Sequence, residues 1–272
     1  MKNSDKLLVI GDVHGCFPTL KELLGEVDPN MPLLFLGDLI NRGPSSLETL
    51  RYVKNMAHRA ICLLGNHEMH LLASAAGAGK SHRKDTIQEI LQAPDAEELI
   101  DFVRHLPLLY QWKNYTFVHA SIDPAWSIEL ARSLASEVQT HLRGKHWKEY
   151  LQHMYGKDLW NKHLSGEARM RAILNGFTRI RFVDKNGFPD YSIKEGLQQK
   201  HDHLMPWFDC PIRKTQNEQI VFGHWSTLGL VVRSDIIALD TGCVWGGSLS
   251  AIELPERRLF TVKAPQYLDP FA

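Results

Sequence analysis

The sequence predicts an α/β fold built on a mostly parallel sheet, and three observations carry that prediction. Short apolar runs end repeatedly in glycine and a polar cluster: Lys6 to Ile10 before Gly11-Asp12-Val13-His14-Gly15, Leu33 to Leu36 before Gly37-Asp38, and Ala60 to Leu64 before Gly65-Asn66-His67-Glu68. The segments between them, Phe17 to Val27 and Ser45 to His58, carry apolar residues at helical spacing. Strand-helix-strand units of this kind make a sheet covered on both faces, whose ligands gather at the carboxyl ends of the strands. All three polar clusters fall at such ends.

Later elements follow the same reading. From Leu71 to Trp112 the pattern turns helical, with Thr86 to Gln92 and Asp95 to His105 as helices and Pro94 near the start of the second. Thr116-Phe117-Val118-His119-Ala120 returns to the strand phrase, and Gln219 to Phe222 before Gly223-His224 repeats it. The stretch from Ala125 to Phe208 is rich in Trp, His and Lys, lacks a long strand pattern and reads as a helical cap. Gly229 to Val232, Ile236 to Leu239, Ser248 to Glu253 and Arg258 to Val262 read as an antiparallel meander, a second sheet packed on the first. The whole, 1-272, is expected to be one domain with helical insertions at about 74-112 and 125-208.

Composition narrows the function. Lys plus Arg total 31 and Asp plus Glu total 31, so no global field points to DNA or a membrane surface as a stable partner. The N-terminal apolar run is too short for a signal peptide, and no stretch approaches a spanning length. A soluble, cytoplasmic protein is expected. Cys16, Cys62, Cys210 and Cys243 are far apart, with no C-x-x-C pair to suggest a zinc ribbon, and are expected as reduced thiols.

Asp12 and His14, two apart, share a face in an extended segment and can share one ion. Alone they read equally well as a helix cap beside an incidental histidine. Together with Asp38, Asn66, His119 and His224, all at predicted strand ends that a single sheet would gather, they make a mixed carboxylate, imidazole and amide-oxygen set. Such a set suits Mn, Fe, Zn or Mg and lacks the thiolates of a structural zinc site. Two ions sharing Asp38 would hold a bridging water and clamp the oxygens of an in-line displacement at phosphorus. Arg42, four residues past Asp38, can bind phosphoryl oxygens bidentately, against the plainer reading of a surface arginine in a turn. His67 cannot easily share the direction of Asn66 and is better placed as a general acid.

These blocks, Gly11-Asp12-Val13-His14-Gly15, Gly37-Asp38-Leu39-Ile40-Asn41-Arg42-Gly43, Gly65-Asn66-His67-Glu68, His119-Ala120 and Gly223-His224, resemble those of the calcineurin-like metallophosphoesterases, in their phosphoprotein-phosphatase branch. Asn175 to Phe182, Pro206-Trp207-Phe208, Phe222 to Trp225 and Ala238 to Gly247 are further similar to the bacterial symmetrical diadenosine tetraphosphatases. The resemblance implies a four-layer α-β-β-α sandwich and hydrolysis of diadenosine tetraphosphate to two ADP by a metal-bridging hydroxide. It implies two divalent ions, Mn first and Co, Fe, Zn or Mg as substitutes, and in some members removal of nucleoside-tetraphosphate caps from RNA 5′ ends. Carried over, Asp12, His14 and Asp38 hold one ion, Asp38, Asn66, His119 and His224 the other, and His67 is the acid. Arg42 and an arginine of Phe177-Thr178-Arg179-Ile180-Arg181 grip phosphate. Arg179 is placed narrowly ahead of Arg181, although in an extended segment both point the same way. Trp225 and Trp245 are candidates for stacking on a base, with core packing expected for at least one.

Two departures stand out. Asn41 occupies a position where phosphoprotein phosphatases commonly carry an aspartate paired with the catalytic histidine, and this weighs against the alternative of a serine/threonine phosphatase. Ser121 stands where a glycine is usual, and fits unless the turn needs positive φ. Gly77 to Ser81 imitates the tail of a P-loop but follows a helix and lacks its first glycine. Lys80 to Lys84 reads as a solvated basic loop, and Asp240 as turn support.

Overall fold

The structure is a computed structural model that describes residues 4–79, 82–193 and 203–269. Strands β1 (Leu7–Ile10), β2 (Leu33–Phe35) and β3 (Ala60–Cys62) alternate with helices α1 (Phe17–Gly25) and α2 (Ser46–Asn55). β1 pairs parallel with β2, and β2 with β3, so their carboxyl ends share one edge. Helix α3 (Asn66–Ala75) leads to α4 (Gln88–Leu91) and α5 (Ala96–Arg104), then to the hairpin of β4 (Leu109–Trp112) and β5 (Tyr115–Val118). The cap carries α6 (Ile128–Arg143), α7 (Trp147–Tyr150), α8 (Gly166–Thr178), β6 (Phe182–Asp184), β7 (Pro189–Asp190) and β8 (Leu204–Pro206). The chain continues through β9 (Gln219–Phe222), β10 (Val231–Val232), β11 (Ile236–Ala238), β12 (Ser248–Leu254) and β13 (Arg258–Lys263).

Two five-stranded sheets result, ordered β13-β12-β1-β2-β3 and β10-β11-β9-β5-β4. Strand alternation decides how they stack. Leu7, Val9, Leu34, Ile252 and Leu254 of the first sheet pack with Phe117, Val221 and Ile237 of the second in one buried cluster. The intervening residues Leu8, Ile10, Leu33 and Phe35 face the other way, into a cluster shared with Leu20, Leu50 and Val53 of α1 and α2. The outer face of the second sheet is closed by the cap: Trp207 lies 5.3 Å and Phe208 5.8 Å, ring to ring, from Phe222. This is the four-layer α-β-β-α sandwich.

The structure corrects the sequence reading in four places. The meander is divided: β10 and β11 extend the second sheet, whereas β12 crosses back and pairs antiparallel with β1, Leu7 opposite Leu254. β12 is buried along nearly its whole length, so it needs cover on both faces and finds it inside the first sheet. Within the second sheet β11 runs parallel to β9, and β9 parallel to β5, so the phrases ending in His119 and His224 lie outside the first sheet. Leu109–Trp112, read as helical, is a strand, because Lys113 in the left-handed region (φ 51°) folds it straight back onto β5. Finally, the cap holds a small antiparallel sheet, β7-β6-β8, whose strands are too short to show a period. Lys80 and Ser81 of the basic run lie outside the described residues. The four cysteines are buried free thiols. Among the described residues no helix is long and apolar enough to cross a membrane.

Ser121 avoids the left-handed region and donates its hydroxyl to the Gly176 carbonyl at 2.7 Å, so the missing glycine costs no strain. Nearby, Asp123 is 4% exposed and accepts only the Ala125 N–H, at 2.9 Å, among the described contacts. Burial pushes its carboxyl up to about 6. The folded state therefore holds this proton more tightly than the unfolded chain, whose Asp titrates near 3.9. Its contribution is fully present below about pH 4 and is lost as pH rises through 6, a swing of about 3 kcal/mol. Asp123→Asn is expected to melt higher than the parent at pH 7.5, with the gap closing toward pH 4. A pH-independent gap in paired melting curves counts against this.

Candidate active site

The first sheet delivers its polar residues on loops that interlock. The Asp38 carbonyl accepts the N–H groups of Val13 and His14, at 3.1 and 2.8 Å, which clamps the β1 loop onto the β2 loop. Helix α3 begins at Asn66, so Glu68 stands at the third helical position and its carboxylate turns back on the helix start. It accepts the N–H of Gly65 at 2.9 Å, of Asp38 at 2.8 Å and of Leu39 at 2.9 Å. Asp38 Oδ1 in turn accepts the His67 N–H at 2.9 Å, placing a carboxylate against a helix N-terminus, where it is favoured. Gly65 leaves room for it, since a Cβ there would strike Asp38 Oδ1, and Gly223 does the same for Asp12 Oδ1.

The second sheet brings His119 and His224 to the same edge. The Gly223 N–H bonds the His119 carbonyl at 2.7 Å, and the His224 N–H bonds both Asp12 oxygens, at 3.1 and 3.0 Å. His119 Nδ1 lies 2.8 Å from the Leu36 carbonyl. The expected gathering of six residues therefore occurs, but across two sheets joined at their rims rather than along one. His14, Asp38, Asn41, Arg42 and His224 all have positive φ, between 48° and 76°, and they make up five of the seven such non-glycine residues among the described residues. Strain of this kind concentrates where side chains must be aimed.

Asp38 Oδ2 is the centre of the group, 3.8 Å from His14 Nε2, 3.9 Å from His67 Nε2 and 3.4 Å from His119 Nε2. Asn66 Oδ1 lies 3.1 Å from His119 Nε2, and Asp12 Oδ2 lies 3.9 Å from His14 Nε2. Two cation-sized clusters share Asp38: one with His14 and His67, the other with His119 and His224. The donor chemistry fits a metal. His119 gives its Nδ1 hydrogen to a carbonyl, which leaves Nε2 as a lone pair facing the group. His224 Nε2 is buried and has no hydrogen-bond partner. Burial, Arg181 and His119 hold the His224 imidazole well below its usual range, as a neutral ligand requires. Burial, then Asp240 and Asp38, push the Asp12 carboxyl well up, so this pocket is crowded with carboxylates that a cation would relieve. Nε2 of His67 belongs to the first cluster, whereas the sequence reading made it the acid; burial pushes its imidazole down to about 3.

Residues 5–225 match the family model of the calcineurin-like phosphoesterases, a span that includes all six residues. The chain belongs to that family. It is 47% identical over 266 residues to the symmetrical bis(5'-nucleosyl)-tetraphosphatase of Janthinobacterium sp. (strain Marseille), covering 96% of this chain and 97% of that one. The protein of that name from Bordetella parapertussis (strain 12822 / ATCC BAA-587 / NCTC 13253) is 45% identical, with 99% of each chain covered. A crystal structure of a candidate diadenosine tetraphosphatase superposes with a TM-score of 0.62 at 22% identity, covering 97% and 96% of the two chains, which speaks to the fold alone.

In this phosphoesterase the two cap arginines part company. The guanidinium of Arg179, just past the end of α8, donates to the Gly156 carbonyl and to Asn175 Oδ1, both at 3.0 Å, and lies over the Tyr191 ring. Those bonds tie cap segments together. Arg181 lies on the far side of the turn, donates to the His224 carbonyl at 3.2 Å, and has a buried Nε without a partner. Burial lowers its pKa, opposed by Asp240, Asp38 and Asp12, so it is the one beside the carboxylates. The reading of the segment as extended could not separate the two arginines; α8 instead runs through Thr178, which puts Arg179 at the helix end and Arg181 beyond it. Arg42 remains at the mouth, its side chain 21% exposed. Trp225 is 2% exposed, with its ring 4.7 Å from Phe182 and its indole N–H on Thr227, so its expected contact with a base gives way to core packing. Asp240 accepts the Gly242 N–H at 3.0 Å, as turn support requires.

Two supporting residues escaped the sequence reading. Glu68 was legible as the third residue of a helix after Gly65, the place where a carboxylate caps. Asp85 was not, because its partner Asn41 is 44 residues away.

Proposed function

We propose that this phosphoesterase hydrolyses diadenosine tetraphosphate symmetrically, to two ADP, with two divalent cations of which manganese is the first choice. The observation that carries the reading is the double cluster on Asp38, set in a chain akin over nearly its full length to proteins named for that reaction. Asp12, His14 and Asp38 would hold one cation, and Asp38, Asn66, His119 and His224 the other. Bound there, such cations activate water and neutralise phosphoryl charge. Water adds its oxygen to one central phosphorus, the bridge between the two central phosphates breaks, and each half leaves as ADP. Arg42 at the mouth and Arg181 beside the carboxylates bind and orient phosphoryl oxygens, with Arg181 replacing Arg179 in that role. His67 offers Nε2 to the departing phosphate oxygen.

The names of these relatives specify the dinucleotide, and nothing in the site favours capped RNA 5′ ends or phosphoserine over it. A cytoplasmic location accords with four cysteines kept as free thiols. The test is to incubate the purified protein with diadenosine tetraphosphate and manganese and to separate the products. ADP alone is expected; ATP plus AMP overturns the symmetrical assignment.

A further inference from the structure

The Asn41 side chain is fully buried and every hydrogen-bonding direction of its amide is used. Its oxygen accepts two backbone N–H groups, from Arg42 and from Thr86, each at 2.9 Å. Two backbone donors favour this orientation of the amide. The Asp85 carboxylate, which can only accept, locks it, because a flipped amide would set its oxygen against that carboxylate; both hydrogens of Nδ2 therefore point away from the backbone. One goes to Asp85 Oδ1 at 3.0 Å; the other faces His67 Nδ1 at 2.9 Å. Asp85 cannot release its share. Burial works against its charge, but hydrogen bonds from Asn41, His70 and the His82 N–H outweigh this and hold its carboxyl below the usual range. Its second oxygen lies 2.9 Å from His70 Nε2 and accepts the His82 N–H at 2.8 Å, and His70 Nδ1 lies 2.7 Å from the Tyr155 hydroxyl.

A donor facing His67 Nδ1 requires a lone pair there, which puts the ring hydrogen on Nε2, the nitrogen 3.9 Å from Asp38 Oδ2. We infer that Asp85 is a positioning residue for His67: acting through Asn41, it sets the ring as the Nε2–H tautomer, with its hydrogen aimed into the site. A carboxylate in the place of Asn41 would accept from Nδ1 and select the opposite tautomer. The loop between α3 and α4 thus supplies a carboxylate one hydrogen bond farther out than the partner expected beside the histidine. On the reading of His67 as donor to the leaving group, this tautomer gives a hydrogen bond rather than a full proton. That suffices for a departing phosphate, which leaves as a stable anion, and falls short for an alkoxide. The arrangement favours phosphoric anhydrides over alkyl phosphate esters.

The test reads the ring directly. Long-range proton–nitrogen spectra of the full chain, metal-free and zinc-loaded, with His67 assigned by comparison with His67→Asn, are expected to show the Nε2–H form. Asp85→Asn is expected to give a mixture of tautomers and to lower kcat for the dinucleotide at least ~10-fold, the scale for losing an outer hydrogen-bond partner. Arg42 lies 3.7 Å from Asp85 Oδ1, so KM is open to change as well, but the tautomer readout does not respond to Arg42. The exchange variant Asn41→Asp/Asp85→Asn keeps a donor opposite an acceptor and is expected to fold, to show Nδ1–H on His67, and to shift turnover toward alkyl esters relative to the parent. An Nδ1–H ring in the parent, or an Asp85→Asn spectrum identical to it, overturns the inference. The spectrum is independent of substrate, so a failure to cleave the dinucleotide would strike the proposed function and leave the tautomer result standing.

Discussion

Asp38→Asn is expected to reduce turnover by on the order of 10³-fold or more and to strip bound metal, with the fold retained. The substitution separates the two jobs of this side chain. Oδ1 accepts the His67 N–H at the start of α3, and an asparagine oxygen can continue to do so. Its NH₂ group must then replace Oδ2, the atom that lies within 3.9 Å of the Nε2 atoms of His14, His67 and His119. An NH₂ group has no lone pair to give a cation, and it would face the Nε2 atoms of His14 and His119, proposed as ligands of the two cations. Both clusters lose their common member in one step. The measurement is metal content by mass spectrometry beside initial rates, with a melting curve to confirm folding. Near-normal rate and metal content would sink the shared-ligand reading.

How far the site was legible follows from how each part is made. Asp12 and Asp38 each follow a strand buried on both faces, Asn66 follows one largely buried, and a fully apolar run halted by glycine is visible from local sequence alone. His119 and His224 repeat the phrase, so their role as strand-end residues was visible too. Which sheet they end was not, because pairing partners lie far off in the chain: Leu7 opposes Leu254, and Tyr115 opposes Gln219. β4 was lost for a related reason. Its residues are half exposed, and only the left-handed turn at Lys113 defines it. The arginines show the limit of periodicity: the end of α8 at Thr178 decides which guanidinium reaches the carboxylates, and no spacing rule places that end. Asp85 is the extreme case, a loop carboxylate whose function depends on an amide on another element.

His67→Asn is expected to lower turnover by about 10²–10⁴-fold while leaving metal content unchanged. What matters is which end of the ring is committed. Nδ1 is engaged by Asn41, so Nε2 alone is available, and it lies where either a ligand or a donor to the leaving group could work. The neighbouring residues favour the donor. Asn66 directs its oxygen at His119 Nε2, so the second cluster has a full set of donors without His67. In the first cluster Asp12 stands 3.9 Å from His14 Nε2 and can supply a third donor beside His14 and Asp38. Burial pushes the His67 imidazole down to about 3, which keeps it uncharged at the pH of the assay and suits a hydrogen-bond donor at Nε2. Asparagine at this position removes that hydrogen bond while the backbone N–H that anchors Asp38 stays in place. Loss of rate together with loss of one equivalent of metal would make His67 a ligand, and Asp12 would then have to be reassigned to an outer, supporting role.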